Sequence, residues 1–379
     1  MKIGILTQPL HNNYGGLLQA YALQTTLKRL GHDAWLINRE FKKRTIIRKI
    51  ASFAKWIIFN YVFNRKYSRF SPSPKEKEII SIHTSEFIRK HIKPITNKIE
   101  CTRELKKLNR QGFDAYIVGS DQVWRPAYSP CITNYFLDFC ENQSNIKRIS
   151  YAASFGVDNW EFTPRQTIKC VKLAKKFDSV SVREYSGVDL CRKYLETDAV
   201  HVLDPTMLLD VADYMKLIED EKEEKIPGNL FVYILDETNE KQSIVDKVSA
   251  ELNLIPFSIM PKKKLTRDTK KSINDCIFPP VTRWIKGFMD AEFVITDSFH
   301  GTVFAIIFNK PFITIANKTR GLTRFTSLLR IFDLEHRIIT NSNEINDKLL
   351  DEKINFDKLN KIRKKQQLKA FEVLSILKN

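Results

Sequence analysis

The chain has 379 residues, 43% of them hydrophobic and 28% charged, a composition typical of a globular protein with room for two domains. Its formal net charge of +18 favours anionic partners such as nucleic acid, anionic lipid or phosphorylated substrates, without choosing among them. The six cysteines form no CxxC pair, which argues against a zinc knuckle or a disulfide framework, and the absence of a nucleic-acid-binding motif predicts no nucleic-acid partner.

The N-terminal residues predict a β-α-β unit. The first apolar run, residues 2–6, is too short for a signal peptide and predicts a strand; with the scattered cysteines it favours a cytoplasmic location. A helix over about 17–30 and a strand over 33–38 follow. Gly15 and Gly16, in the loop before the helix, either let a ligand approach the helix N-terminus closely or form a tight turn. The loop lacks GxGxxG, so it does not support dinucleotide binding.

Residues 46–63 predict an amphipathic helix with a basic face. Apolar residues recur at helical spacing on one side, and Arg48, Lys49 and Lys55 lie on the other. These charges argue against a membrane-spanning helix. The segment fits either a helix in the membrane interface, with its cations on anionic headgroups, or a helix packed on its own domain. We treat residues 44–70 as a basic amphipathic insert and predict a further helix over 75–92.

Charged residues follow two predicted strands in the first half of the chain. Asp121 comes shortly after a strand over 113–118, where its carboxylate could contact a bound hydroxyl or cap a turn. Arg183 directly follows a strand over 179–182. Its guanidinium could bind a carboxylate or phosphate through two hydrogen bonds, or form an ion pair with Glu184 or another neighbour. Further strands are predicted over 149–153 and 200–203.

A charged run that ends at Pro227-Gly228 predicts the link between two domains. We divide the chain into an N-terminal domain over 1–218, a C-terminal domain over 229–355, and a basic terminal helix within 356–379. That this helix crosses back to the N-terminal domain is a hypothesis. The remaining predicted elements of the C-terminal domain are strands over 230–235 and 255–259 and helices over 240–252, 282–291 and 327–332.

Residues 292–324 predict a β-loop-α-β unit in a parallel sheet. A strand over 293–295 leads to His300, a helix over 302–308 follows, and Lys318 and Arg320 come after the next strand. Ligands bind at this edge of parallel sheets, so a histidine and two cations there favour an anionic substrate and proton transfer. The alternative is that Asp297 or Ser298 caps the helix and that His300 is an ordinary surface residue.

Seven motifs, in order from residue 13 to 325, together resemble those of one enzyme family. They are Asn13-Tyr14-Gly15 with 18–23, and 119–124, 150–156, 181–184 with 186–187, Asp204-Pro205-Thr206, 297–301, and Arg320-Gly321 with Arg324-Phe325. Taken together they resemble the polysaccharide pyruvyl transferase family. The resemblance implies an α/β fold with two Rossmann-like domains, similar to GT-B glycosyltransferases, with the active site in the interdomain cleft.

The resemblance also implies an activity in surface polysaccharide biosynthesis. Members of this family move the pyruvyl group of phosphoenolpyruvate onto two hydroxyls of one sugar, forming a ketal and releasing phosphate. This chemistry requires no cofactor, nucleotide or metal. The implied acceptor is a saccharide in a polymer or on a polyprenyl diphosphate, which would place the enzyme at the inner face of the cytoplasmic membrane, with an anionic membrane surface as a further partner.

Site residues follow from the resemblance and from the chemistry of the donor. We predict His300 as general acid/base and Asp121 as the contact to an acceptor hydroxyl. The predicted donor-binding residues are Arg183, Lys318, Arg320 and Ser298, and the choice between Lys318 and Arg320 stays open. The predicted acceptor-side residues are Asn13, Tyr14, Gly15 and Gly16.

Two other functions compete with pyruvyl transfer. One is a GT-B glycosyltransferase that uses a sugar nucleotide, which would bind a nucleoside diphosphate between the domains. The other is a non-enzymatic basic protein that binds nucleic acid or lipid, supported only by the net charge.

Overall fold

The computed structural model describes residues 1–42, 72–316 and 321–377. The predicted insert over 44–70, with its helix over 46–63, lies outside the described residues. Lys318 and Arg320 lie outside them as well.

The first part of the described chain forms a six-stranded sheet in which all neighbouring strands are parallel. The strands are β1 (Lys2–Leu6), β2 (Asp33–Leu36), β3 (Ala115–Val118), β4 (Lys147–Ala153), β5 (Ser179–Val182) and β6 (Val200–His201). They lie in the order β2-β1-β3-β4-β5-β6. Every residue of β3 is buried, as expected for a central parallel strand that is covered on both faces.

A second parallel sheet follows in the chain. Its strands are β7 (Leu230–Tyr233), β8 (Pro256–Phe257), β9 (Phe293–Thr296), β10 (Phe312–Ile315) and β11 (Ile338–Ile339). They lie in the order β11-β10-β9-β7-β8. The predicted strand over 255–259 is shortened to the two residues of β8, which lies at the sheet edge.

Helices connect the strands of both sheets. Within the described residues the α-helices are α1 (Tyr14–Arg29), α2 (Pro74–Ile80), α3 (Ile82–His91), α4 (Thr102–Leu105), α5 (Pro164–Ala174), α6 (Tyr185–Leu190), α7 (Val211–Asp220), α8 (Asn239–Glu251), α9 (Val281–Asp290), α10 (Phe299–Ile307), α11 (Leu322–Ile331), α12 (Asp347–Asp351) and α13 (Phe356–Leu374). The predicted helix over 75–92 is divided at Ser81 into α2 and α3. The predicted short helix over 327–332 is the second part of the longer α11.

Two helices begin earlier than the apolar pattern predicts, because polar side chains cap them. Asn13 accepts a hydrogen bond from the Gly16 backbone N–H at 3.2 Å, so the glycine pair lies in the first turn of α1 and not in a loop before it. Ser298 accepts from the Gly301 N–H at 3.4 Å, so α10 begins at Phe299. His300 therefore lies in the first turn of a helix.

An apolar core joins the two halves of the molecule. The Tyr14 ring, at the start of α1, stacks on Trp284 of α9 with 5.5 Å between ring centroids. Its hydroxyl donates to the Pro279 carbonyl at 2.9 Å. Tyr214 of α7 packs edge-on against Phe304 of α10 at 4.9 Å. This packing holds the carboxyl-terminal edges of the two sheets on either side of a shared cleft.

The terminal helix α13 contacts both halves. Lys358, near its start, forms an ion pair of 2.8 Å with Asp333 in the second half. Further along, Gln367 donates to the Met207 carbonyl at 2.8 Å. After the helix, the Ile376 carbonyl accepts from Lys147 of β4 at 2.7 Å. The chain thus returns to the first sheet at its end.

Candidate active site

A cavity of about 410 Å³ lies between the two halves, where strands of both sheets end. The first half contributes Asn13 and Gly16 at the start of α1 and Asp121 after β3. The second half contributes Ser298 and His300 at the start of α10 and Arg324 in α11. The N-termini of α1 and α10 both reach this cavity, and the partial positive charge at these helix ends favours a bound anion.

His300 occupies the contact between these two helix N-termini. The residue is only 6% exposed, so the expectation that it could be an ordinary surface residue is wrong. A Cβ atom placed on Gly15 would lie 2.0 Å from His300 Nδ1. Gly15 is therefore the residue that lets α1 approach the imidazole.

Asp204 lies on the other side of the imidazole. Its Oδ2 is 3.6 Å from His300 Nε2, which is too long for a hydrogen bond but close enough to stabilise a positive charge on the imidazole when it takes up a proton. Its Oδ1 accepts from the backbone N–H and the hydroxyl of Thr206, at 3.0 and 2.7 Å. Burial alone would raise the pKa of Asp204, but His300 and Arg183 more than compensate, so the pKa is lowered. The group is a fixed, ionised carboxylate facing the histidine.

Arg183 links two carboxylates behind the cavity wall. Its Nη1 donates to Asp204 Oδ2 at 2.7 Å and its Nη2 to Asp121 Oδ1 at 3.2 Å. The guanidinium packs on the Phe299 ring, 4.4 Å from the centroid, and the side chain is 1% exposed. The residue does not line the cavity. This geometry agrees with the ion-pair alternative for Arg183 and does not support direct binding of the donor substrate by its guanidinium.

Asp121 combines cavity exposure with a fixed orientation. Burial would raise the pKa of its carboxyl, but Arg183, followed by His300 and Arg324, lowers it below the usual value. An ionised carboxylate only accepts hydrogen bonds, so Asp121 can receive one from a hydroxyl in the cavity. Its backbone φ of 69° lies in the left-handed region, which aspartate tolerates better than most residues.

Arg324 brings a guanidinium to the cavity from the first turn of α11. Burial, and then repulsion from Arg183, lowers the pKa of Arg324 to about 10, so the group stays charged at neutral pH. Gly321 is the N-cap residue just before this helix, and an added Cβ there would lie 1.9 Å from the Gly156 carbonyl oxygen of the other half. Close contact between these two backbones sets where Arg324 enters the cavity.

Glu184 holds the loop that Gly321 contacts. Its Oε1 accepts from the Ser154 hydroxyl at 3.0 Å and from the backbone N–H groups of Phe155 and Gly156 at 2.7 and 3.2 Å. Burial raises the pKa of this carboxyl despite the nearby Arg183. Glu184 is thus hydrogen-bonded to this loop. Arg183 forms its ion pairs with Asp121 and Asp204 and not with Glu184.

The acceptor-side residues predicted from the sequence divide into two groups. Asn13 and Gly16 line the cavity, whereas Tyr14 is buried in the interdomain core and Gly15 packs against His300. The reason is the early start of α1, which places Tyr14 on the buried side of a helix instead of in an open loop. Ser298 lines the cavity and also caps α10, as one alternative proposed.

Sequence reasoning assigned no role to Asp204 or Arg324, although both belong to the motifs of the resemblance. Asp204 follows β6 by three residues, the same kind of position that singled out Asp121. Arg324 comes four residues after Arg320 in the sequence. Lys318 and Arg320 are nearer to the preceding strand, and the sequence analysis therefore chose them as the cations. Within residues 1–42, 72–316 and 321–377, no group of three or more His, Cys, Asp or Glu residues could hold a metal ion.

Two Rossmann-like domains that face each other across a cleft define a GT-B-like protein. A solved structure of UDP-GlcNAc 2-epimerase from Neisseria meningitidis, bound to UDP-GlcNAc, is similar over 100% of both chains, with 10% identity and a TM-score of 0.50. A putative UDP-N-acetylglucosamine 2-epimerase from Listeria monocytogenes gives the same identity and TM-score over 100% of this chain and 96% of its own. At such low identity the likeness shows the fold alone.

The family model for polysaccharide pyruvyl transferase matches residues 13–319, most of the chain. The protein belongs to the polysaccharide pyruvyl transferase family. A comparison with curated proteins found no match. Family membership supports a transferase of polysaccharide biosynthesis.

Proposed function

We propose that the protein transfers the pyruvyl group of phosphoenolpyruvate to two hydroxyls of one sugar, forming a cyclic ketal and releasing phosphate. The observation that carries the proposal is the position of His300, held between Gly15 and the ionised Asp204 at the cavity between the domains. A histidine held at this position can act as a general acid and then as a general base toward a substrate in the cavity.

The donor carries a carboxylate and a phosphate, and both need positive partners. Arg324 supplies a guanidinium, and the N-termini of α1 and α10 supply backbone N–H groups and partial positive charge. Ser298 adds a hydroxyl at the same edge. A second cation is predicted from the sequence after β10. The choice between Lys318 and Arg320 for this role stays open.

The reaction needs two protons to be supplied, one to the enol methylene and one to the departing phosphate oxygen, and two to be removed from the sugar hydroxyls. Protonation of the enol methylene makes the adjacent carbon electrophilic, and a sugar hydroxyl attacks it and loses its proton. Departure of phosphate then leaves an oxocarbenium ion, and the second hydroxyl adds and loses its proton to close the ketal. His300 serves as the acid, either at the methylene or at the departing phosphate oxygen, and returns as the base.

The carboxylates behind and beside His300 have separate roles. Asp121 accepts a hydrogen bond from an acceptor hydroxyl and orients it for attack. Asp204 holds the imidazole, and Arg183 fixes Asp204 and Asp121 relative to each other, so Arg183 is a positioning residue. No metal or nucleotide enters this chemistry.

We further propose that the acceptor is a saccharide on a polyprenyl diphosphate or in a polymer, met at the cytoplasmic face of the membrane. The net charge of +18 and the basic pattern of residues 46–63 support contact with anionic lipid. No α-helix in the described parts of the chain is long and apolar enough to cross a bilayer.

The test is phosphate release from phosphoenolpyruvate with and without a glycan acceptor. We expect release only with acceptor, and a loss of at least about 10²-fold in His300→Ala. His336→Ala is a matched control, because His336 is an exposed histidine that pairs with Glu352 at 2.8 Å and does not line the cavity. A near-normal rate in His300→Ala would contradict the proposed mechanism.

The sugar-nucleotide alternative makes an opposite prediction in a thermal-shift screen. A glycosyltransferase would be stabilised by a nucleotide sugar and not by phosphoenolpyruvate. The proposed pyruvyl transferase would respond to phosphoenolpyruvate alone.

A further inference from the structure

An exposed tyrosine forms part of the cavity wall on the side of the first domain. Tyr128 is 44% exposed and lines the cavity together with Gln8, Asp121 and His300. Leaving a large ring in contact with water forgoes the free energy that its burial would supply. A partly exposed ring beside polar groups in a cavity therefore suggests a ligand that has both an apolar face and polar edges.

The Tyr128 ring is backed by a cation that is itself held in place. The Arg125 guanidinium lies 4.4 Å from the ring centroid. Glu161 binds this guanidinium through two hydrogen bonds, from Nε at 3.1 Å and from Nη2 at 3.2 Å. Gln122 accepts a third bond from Nη1 at 3.2 Å. Each nitrogen of the Arg125 guanidinium thus donates a hydrogen bond. The guanidinium is therefore held in a fixed position against one face of the Tyr128 ring.

The backbone around Tyr128 is fixed as well. The Tyr128 and Ser129 N–H groups both donate to the Arg125 carbonyl, at 3.1 and 3.2 Å. The Ser129 hydroxyl donates to the Val123 carbonyl at 2.8 Å and accepts from Gln8 at 3.1 Å. The backbone that carries the ring is therefore held in place before any ligand binds, which reduces the entropy lost on binding.

We infer that Tyr128, backed by Arg125 and Glu161, is the platform on which the sugar ring of the acceptor stacks. The inference rests on the proposed function and identifies a specificity-determining residue for it. A pyranose ring has a face of C–H groups that packs on an aromatic ring, and hydroxyls around its edge that need polar partners. Asp121, in the same cavity, receives a hydroxyl from that edge, so stacking on Tyr128 selects which hydroxyls reach the electrophilic carbon beside His300.

The test uses a panel of p-nitrophenyl glycosides as acceptors and measures KM separately for glycoside and phosphoenolpyruvate. We expect Tyr128→Ala to raise the KM of the accepted glycoside about tenfold and to change the KM of phosphoenolpyruvate less than about twofold. Tyr128→Phe keeps the ring and should keep both values. Tyr185→Ala is an exposure-matched control, because Tyr185 is 45% exposed and does not line the cavity.

Each outcome separates this inference from the proposed function. If the wild-type protein uses a glycoside and Tyr128→Ala leaves its KM unchanged, or if both substrates are affected equally, the platform is overturned and pyruvyl transfer stands. If saturation-transfer NMR shows phosphoenolpyruvate bound but none of the glycosides bound, the platform is also overturned. If phosphoenolpyruvate neither binds nor turns over, the proposed function itself fails.

Discussion

Gly15→Ala should inactivate the enzyme through a single added methyl group. The new Cβ would lie 2.0 Å from His300 Nδ1 and 2.2 Å from Cγ, whereas real Cβ contacts stay above about 3.0 Å. The imidazole or the start of α1 must therefore move by roughly 1 Å. Displacement of a catalytic group by this distance costs on the order of 10²-fold in rate. Overpacking at a buried contact also lowers the free energy of unfolding by about 1–3 kcal/mol.

The assay is acceptor-dependent phosphate release, with thermal unfolding measured on the same samples. We expect kcat to fall about 10²-fold and the melting temperature to fall only by several degrees, so that the protein is folded during the assay. Gly16→Ala is the neighbouring comparison, because its Cβ would meet Asn13 Cγ at 3.3 Å, a tight contact that a shift of a few tenths of an ångström relieves, and should cause a smaller loss. A Gly15→Ala variant with kcat within about twofold of wild type would refute the placement of His300 against α1.

Three further changes test other parts of the site. Asp204→Asn should lower kcat more than it changes the KM of phosphoenolpyruvate, because it removes the charge facing His300; an unchanged kcat would contradict the positioning role. The pKa of Asp204 is lower in the folded protein than in the unfolded chain, where it is about 4. Ionised Asp204 therefore stabilises the folded state at pH values above about 4, and this stabilisation is lost as the pH falls from there toward the folded pKa. Asp204→Asn should therefore lose less unfolding free energy than wild type in denaturant titrations between about pH 5 and 3. Arg324→Met should raise the KM of phosphoenolpyruvate roughly 10-fold or more, since it removes a cation from the cavity; a change confined to the acceptor KM would place Arg324 on the other substrate. Deletion of residues 46–63 should reduce sedimentation with anionic vesicles, and unchanged sedimentation would exclude this segment as the anchor.

The strands of the fold could be predicted because parallel strands that are covered on both faces need continuous apolar runs. β3, β9 and β10 each follow from such a run, and their burial at every position is the physical reason. Helix starts were harder, since the apolar pattern begins one turn after the cap. Asn13 accepts a hydrogen bond from the Gly16 N–H and Ser298 accepts one from the Gly301 N–H, so α1 and α10 begin earlier than the apolar pattern predicts.

The residues of the cavity were only partly predictable from their positions in the chain. Asp121 and His300 were found because both follow a strand, and the topology brings such positions to one cleft. The partners of Arg183 could not be predicted in this way. Its ion pairs with Asp121 and Asp204 depend on where β3, β5 and β6 end relative to each other in the sheet. The same three-dimensional arrangement makes Arg183 a buried link, whereas its position after a strand allowed either an ion pair or a direct contact to a carboxylate or phosphate of a ligand.

The central claim is tested most directly by mass spectrometry of a candidate lipid-linked oligosaccharide after incubation with phosphoenolpyruvate. The wild-type enzyme should add the mass of one pyruvate ketal, with loss of two hydroxyl protons from a single sugar residue, and His300→Ala should leave the saccharide unchanged. A product that carries a ketal in both reactions would contradict the role of His300 at the interdomain cavity.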